Sequence, residues 1–230
     1  MRIIPFLCGL ILLAGPASAE TRNFGVSGFE RVRVEGPFKV RLATGVAPFA
    51  RASGPSAALA RIEVRTEGRT LIVQSNQSAW GGYPGKDNGP VEISIGTHEL
   101  NGAALVGAGS LSIDRVKAFE FLLTLQGAGM AAIDQADVDR MKVAMTGSGG
   151  VTLGGSARQL DAVIRGMSTL QAARLTAKNA TLAIAGPASV TATVTDSVSV
   201  TGSGSGTIAL DGKPACTVKV SGAGSVTGCR

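Results

Sequence analysis

The chain has 230 residues and a formal charge of +6, with 44% hydrophobic but only 4% aromatic residues. Its 32 glycines fall well short of one in three and show no three-residue period, which excludes a collagen-like chain. Apolar residues recur along its whole length, which excludes a disordered one. The basic residues lack the aromatic interleaving of a single-strand nucleic-acid binder, so nucleic acid is not an expected partner.

Residues 1–19 read as a secretory signal peptide. Arg2 supplies the positive start, Ile3 to Leu13 is an apolar run, and Ala17-Ser18-Ala19 is an A-x-A cleavage site before Glu20. The run is shorter than a membrane span, and Cys8 lies inside it rather than at a lipidation site. Export to the periplasm or beyond is expected, with no transmembrane segment in the mature chain. Residues 20–230 then form a single expected β-helix domain of 211 residues. The basic excess sits early: residues 20–80 hold nine Lys/Arg against five Asp/Glu, and residues 81–230 hold twelve against eleven. Such a segment suits anionic envelope surfaces or polysaccharide, although a solvated strand edge is the commoner explanation.

From residue 24 to 100 the chain reads as strands. In Arg31–Leu42, Val32, Val34, Val40 and Leu42 alternate with Arg31, Arg33, Lys39 and Arg41, the period of a strand with one buried face. Ile62–Val64, Leu71–Val73 and Val91–Ile95 are further strands. Between the last two, the Gly/Pro/Asn-rich stretch Ser75–Pro90 carries the only Trp (Trp80) and the only Tyr (Tyr83), candidates for stacking on sugars.

Beyond residue 100 an internal repeat dominates. Leu105-Val-Gly107-Ala-Gly109 recurs as Leu125-Gln-Gly127-Ala-Gly129 and Met145-Thr-Gly147-Ser-Gly149, then in looser form at Gly166 and Gly186. Clear copies return at Gly202-Ser-Gly204 and Gly222-Ala-Gly224. The leading glycines, 107, 127, 147, 166, 186, 202 and 222, are spaced 20, 20, 19, 20, 16 and 20. Alternating stretches such as Phe119–Leu125 precede each Gly-x-Gly, and glycine there permits a sharp corner. About 20 residues holding short strands is one coil of a parallel β-helix, right-handed by the crossover preference. Antiparallel partners would need hairpin signals, and Asn-Gly occurs only at Asn88-Gly89 and Asn101-Gly102. Cys216 and Cys229 remain after cleavage of the leader and are expected to bridge in an oxidising compartment.

The Val34-Glu-Gly-Pro-Phe-Lys-Val40 opening, the serial Gly-Ala/Ser-Gly corners and the ending Cys216…Gly222-Ala-Gly224…Cys229 resemble the putative auto-transporter adhesin, head GIN domain family, over about residues 27–229. The resemblance implies an exported, envelope-associated, right-handed β-helix, and it implies no catalytic motif. Two corners depart from its pattern, with Ser168 and Ala188 in place of the second glycine.

His98 is the sole histidine, so no His-based triad or His-rich metal site forms within one chain, and a structural role is expected. The Gly-x-Gly corners lack the helix that a dinucleotide site requires. No cofactor or metal is expected. Asp114 and Asp134 hold the same position in consecutive repeats, so stacking would bring two carboxylates together. The expected function is an interaction or adhesion-type module without catalysis, directed at an envelope polysaccharide or surface protein, with a homo-oligomer open. The alternative is a polysaccharide lyase or glycoside hydrolase working through Asp114 and Asp134. Trp80, Tyr83, Asp114 and Asp134 are the candidate ligand contacts.

Overall fold

The computed structural model describes residues 20–76 and 91–230; Trp80, Tyr83 and the leader lie outside them. Its elements begin with β1 (Glu20–Phe24), β2 (Arg31–Glu35), β3 (Lys39–Thr44), β4 (Phe49–Gly54) and the single turn α1 (Ser56–Leu59). Then come β5 (Ile62–Glu67), β6 (Thr70–Ser75), β7 (Glu92–Thr97) and β8 (Gly102–Gly107). Five long strands follow: β9 (Ser110–Gly127), β10 (Met130–Gly147), β11 (Gly150–Gly166), β12 (Thr169–Ala185) and β13 (Ser189–Ser203). β14 (Thr207–Asp211), β15 (Ala215–Ser221) and β16 (Ser225–Thr227) end the chain.

Each long strand is bent around a coil. In β9 the buried residues are Leu111 and Ile113, then Val116, then Phe121, Leu123 and Leu125. The odd-to-even phase therefore breaks near Asp114 and again near Phe119, and the glycine corner makes a third break. The same phases recur in β10 with Ala131 and Ile133, Ala136 and Val138, and Met141, Val143 and Met145. Coils pair in parallel, with Leu111 beside Ala131 and Phe121 beside Met141, so that like positions form columns through the stack. The result is a β-solenoid of about 6 turns with coils of about 20 residues.

The glycine corners are fixed by crowding as much as by backbone conformation. Gly127 has φ +110°, and a Cβ on it would lie 2.6 Å from the carbonyl oxygen of Gly107 in the coil before. At Gly147 the same clearance is 2.4 Å. No side chain fits there without moving backbone. The two departures are accommodated. Ser168 is buried and its hydroxyl donates to the Gly147 carbonyl at 3.0 Å, and Ala188 is buried. Gly166 and Gly186 keep φ of +106° and +111°.

One corner differs from the sequence expectation. Gly202 pairs with Ile184 and Val220, within the inward column Leu125, Met145, Ile164, Ile184. The corner residue is Gly204, with φ +114°. The corner spacings are then 20, 20, 19, 20, 18 and 18, from glycines 107, 127, 147, 166, 186, 204 and 222. The spacing of 16 runs from a corner glycine, Gly186, to a core glycine, Gly202.

The coil shortens as its core thins. One inward column runs Phe121, Met141, Leu160, Ala180, Val198, Cys216. Smaller side chains need a smaller perimeter, and the register falls from 20 residues (Leu111 with Ala131) to 18 (Val198 with Cys216). A disulfide joins Cys216 to Cys229 and ties the last coil across its own opening.

The N-terminal third departs more. β2 and β3 flank Gly36 as a first corner and stack in parallel on β8 and β9. Their other edges pair in parallel with β6 and β7, so that this pair, later in sequence, forms the outer layer. Beyond it the pairing turns antiparallel: β5 against β6, β4 against β7, and β1 against β4. The expectation of one architecture over 24–100 is thus corrected: β2, β3, β6 and β7 join the stack in permuted order, and β1, β4 and β5 do not join as parallel strands. The reason is local for β5 and β6. Only Gly68 and Arg69 separate them, and a two-residue link can only reverse the chain. Gly68 supplies the positive φ, +58°, that such a turn needs. Among the described residues no helix is long and apolar enough to cross a membrane.

Candidate interaction surface

The outward positions that follow each glycine corner share one face. Two adjacent columns cover it. The first is Lys39, Ser110, Met130, Gly150, Thr169, Ser189, Thr207, Ser225. The second is Arg41, Ser112, Ala132, Thr152, Gln171, Thr191, Ala209, Thr227. Successive rows are about 4.8 Å apart, so hydroxyl groups line the face at β9 and again from β11 to β16. The rows break where Met130 lies over Gly150, whose missing side chain leaves its space to the thioether. Strand alternation produces this face: the partners between these positions, such as Leu111, Val151, Leu170 and Val190, are buried.

At the N-terminal end of the same face the hydroxyls give way to charge. Arg51 in β4 pairs with Ser94, which pairs with Arg41. Arg41 Nε lies 2.8 Å and Lys39 Nζ 3.7 Å from the Glu92 carboxylate, and Arg51 Nε donates to Asn23 Oδ1 at 3.0 Å. Two cations thus share the Glu92 carboxylate while Arg51 meets a neutral amide, which leaves the cluster of Lys39, Arg41, Arg51 and Glu92 with a charge of +2. Arg41 and Arg51 stand two strands apart with Ser94 between them, open to solvent on the outer side.

The neighbouring edge carries a different network. Glu120, Arg140, Gln159, Asn179 and Ser197 stack in one column. Lys142 Nζ lies 2.9 Å from Glu120, and Arg140 lies between Glu120 and Asp161 at 3.6 and 3.8 Å. The Gln159 amide donates to Asp161 at 2.8 Å, and Ser197 donates to Asn179 at 2.7 Å. The hydrogen bond from Lys142, helped by its charge and that of Arg140, holds the Glu120 carboxyl below its ordinary range. Each charge here has a partner of opposite sign, as suits a solvated rib that holds coils in register.

Asp114 and Asp134 fall in register at the corner after the hydroxyl face, between the pairs Ile113–Ile133 and Arg115–Gln135. Asp114 Oδ1 accepts the backbone N–H of Thr44 at 3.1 Å and of Arg115 at 2.5 Å, and Thr44 donates its hydroxyl to the Arg115 carbonyl at 2.9 Å. This carboxylate therefore closes the end of β3. At Gly154, the next position, a Cβ would lie 2.4 Å from the Asp134 carbonyl oxygen, so no third side chain fits. His98 borders a hollow with Phe29, Glu30, Arg69 and Glu99, and its carbonyl accepts from Gly45 N at 3.1 Å. Among the described residues no group of three or more His, Cys, Asp or Glu is placed to hold a metal ion.

The hydroxyl face was legible in principle. The strand phase that buries Leu111, Val151 and Val190 also turns Ser110, Ser112, Thr152, Ser189 and Thr191 outward. Its joining to Arg41 and Arg51 was not, because the order of the N-terminal strands is set by pairing across long loops.

Comparison with known proteins agrees with this architecture. A putative adhesin from Bacteroides fragilis superposes with a TM-score of 0.77 at 21% identity, over 91% of this chain and 95% of that one. A "putative lipid binding protein" from Parabacteroides distasonis gives 0.69 at 18%, over 92% and 97%. A putative adhesin from Parabacteroides merdae gives 0.67 at 16%, over 92% and 96%. No curated protein matches the chain. The family model described as "Putative auto-transporter adhesin, head GIN domain" matches residues 28–214, and the chain belongs to that family.

Proposed function

We propose that the protein is an exported, non-catalytic adhesion-type module that holds an acidic polysaccharide of the cell envelope along its hydroxyl face. The observation that carries this reading is the alignment of that face: hydroxyl rows about one coil apart, interrupted at Met130 and Ala132, lead to the net positive cluster of Lys39, Arg41 and Arg51. A glycan lying along the stack meets side-chain donors and acceptors at every row but that of Met130 and Ala132, and its acidic groups meet the two arginines. The family and the folds of its neighbours support an adhesion role. The Ala17-Ser18-Ala19 site and the Cys216–Cys229 bridge support a cleaved leader at residues 1–19 and an oxidising destination, with residues 20–230 as one β-helix domain.

The enzymatic alternative is less well supported. A glycosidase needs two carboxyl groups held for different proton states, and Asp114 spends an oxygen on two backbone N–H groups. The test is a glycan array that includes acidic and neutral polysaccharides, read at low and high salt. Binding confined to acidic glycans and weakened by salt is expected. Binding of neutral glycans alone, or none at all, would overturn the reading.

A further inference from the structure

β15 is a strand with one partner. Its seven residues pair with β13, and among the described residues nothing pairs its other edge. Gly204 N donates to the Ser221 carbonyl at 3.0 Å, so Ser221 and the residues in phase with it, Lys219 and Thr217, face β13. The alternate residues Cys216, Val218 and Val220 therefore turn their N–H and C=O groups away from the stack. Only Lys219 is charged in this strand, and the inward-phased Val218 is 44% exposed. Unpaired, nearly uncharged and apolar on its inner side, such an edge is a template for another strand.

We infer that the β15 edge is an interface that takes the β15 edge of a second copy of this chain, antiparallel about a two-fold axis at Val218. Val218 is the middle residue of β15, so an axis there pairs all seven residues, and its outward N–H and C=O make it a hydrogen-bonded pair with its own copy. The axis places Cys216 opposite Val220 and Thr217 opposite Lys219, so the two lysines do not face each other. Val218 packs on its own copy and continues the core across the junction. Head-to-tail stacking is disfavoured by the other end, where β5 and β1 offer Glu63, Arg65, Glu67, Glu20 and Arg22. The assembly therefore closes as a dimer.

Analytical ultracentrifugation of the oxidised full chain across a dilution series tests this, with three variants. The wild type is expected to pass reversibly from monomer to dimer and no further. Thr217→Lys sets two like-charge pairs across the junction and is expected to weaken the dimer roughly 2- to 30-fold, and Thr217→Glu to tighten it through Lys219. Val218→Pro removes an N–H that β13 does not use and is expected to leave a monomer with an unchanged β-type circular dichroism spectrum. If that variant fails to fold, the opposed Thr217 pair still decides the matter. A wild type that stays monomeric, assembles into open filaments, or dimerises with equal strength in both Thr217 variants would overturn the inference.

Discussion

At one end of the stack, β5 and β1 run antiparallel to their neighbours and carry five charged residues between them, with Arg65 paired to Glu63 and Glu67. At the other end, β15 and β16 run parallel to theirs and carry one, Lys219. The first end reverses the pairing direction and lines the free edge with charge, two devices that discourage further strands. The second end is held by a covalent bridge and by a core that has thinned from Phe121 to Cys216. One end is thus closed to further strands by charge and reversal, whereas the other is stapled within its last coil and keeps the β15 edge open.

The largest expected effect lies in the thick coils. Phe121→Ala should cost about 3–5 kcal/mol by chemical denaturation, because the column leaves no slack around a fully buried ring. Val198→Ala, in the same column near the thin end, should cost roughly 2 kcal/mol. Equal losses would break the picture of a tapering core.

The bridge comes next. Cys216→Ser with Cys229→Ser should cost roughly 3 kcal/mol, the loop-closure value for so short a loop. The loss should be local: hydrogen exchange should quicken in β15 and β16 and stay slow in β9 to β12. Uniform quickening would mean that the ends are not independent.

A smaller effect has the opposite sign. Gly202 removes an inward side chain between Ile184 and Val220, and a Cβ there would sit 3.4 Å from its nearest neighbour, an ordinary contact. Gly202→Ala should therefore stabilise the thin end by about 0.5–1 kcal/mol. Gly147→Ala, at a true corner, should destabilise instead.

The smallest concerns Glu120. Its carboxyl is depressed by the Lys142 hydrogen bond, so its contribution is present above the unfolded carboxylate range and fades as pH falls through the depressed folded value. By NMR titration, Lys142→Met should move the Glu120 midpoint upward. An unmoved midpoint would remove the charge pairing from the account of the rib.

The parallel stack from residue 102 onward was legible because its signal is local and repeated: alternation for the strands, Gly-x-Gly for the corners, and two cysteines for the bridge. The N-terminal end was less so. Nothing local tells β2 that it will lie between β6 and β8, or β3 that it will lie between β7 and β9, since their partners arrive tens of residues later. The Gly68-Arg69 reversal carried a signal, glycine at the first position of a two-residue turn, which a search for Asn-Gly misses. Gly202 misled because glycine serves two purposes here, a corner at Gly204 and an empty core position two residues before it.

The central claim is that recognition rests on the outer face rather than on a catalytic pair. One binding titration with an acidic polysaccharide tests it, run with a reducing-sugar assay on the same samples. Arg41→Ala with Arg51→Ala should weaken binding roughly 2- to 30-fold, at about 0.2–1 kcal/mol for each exposed charge. Asp114→Asn with Asp134→Asn should leave binding intact, and no sample should release reducing ends. Measurable turnover that disappears with either aspartate substitution, while the arginine pair has no effect, would contradict the account.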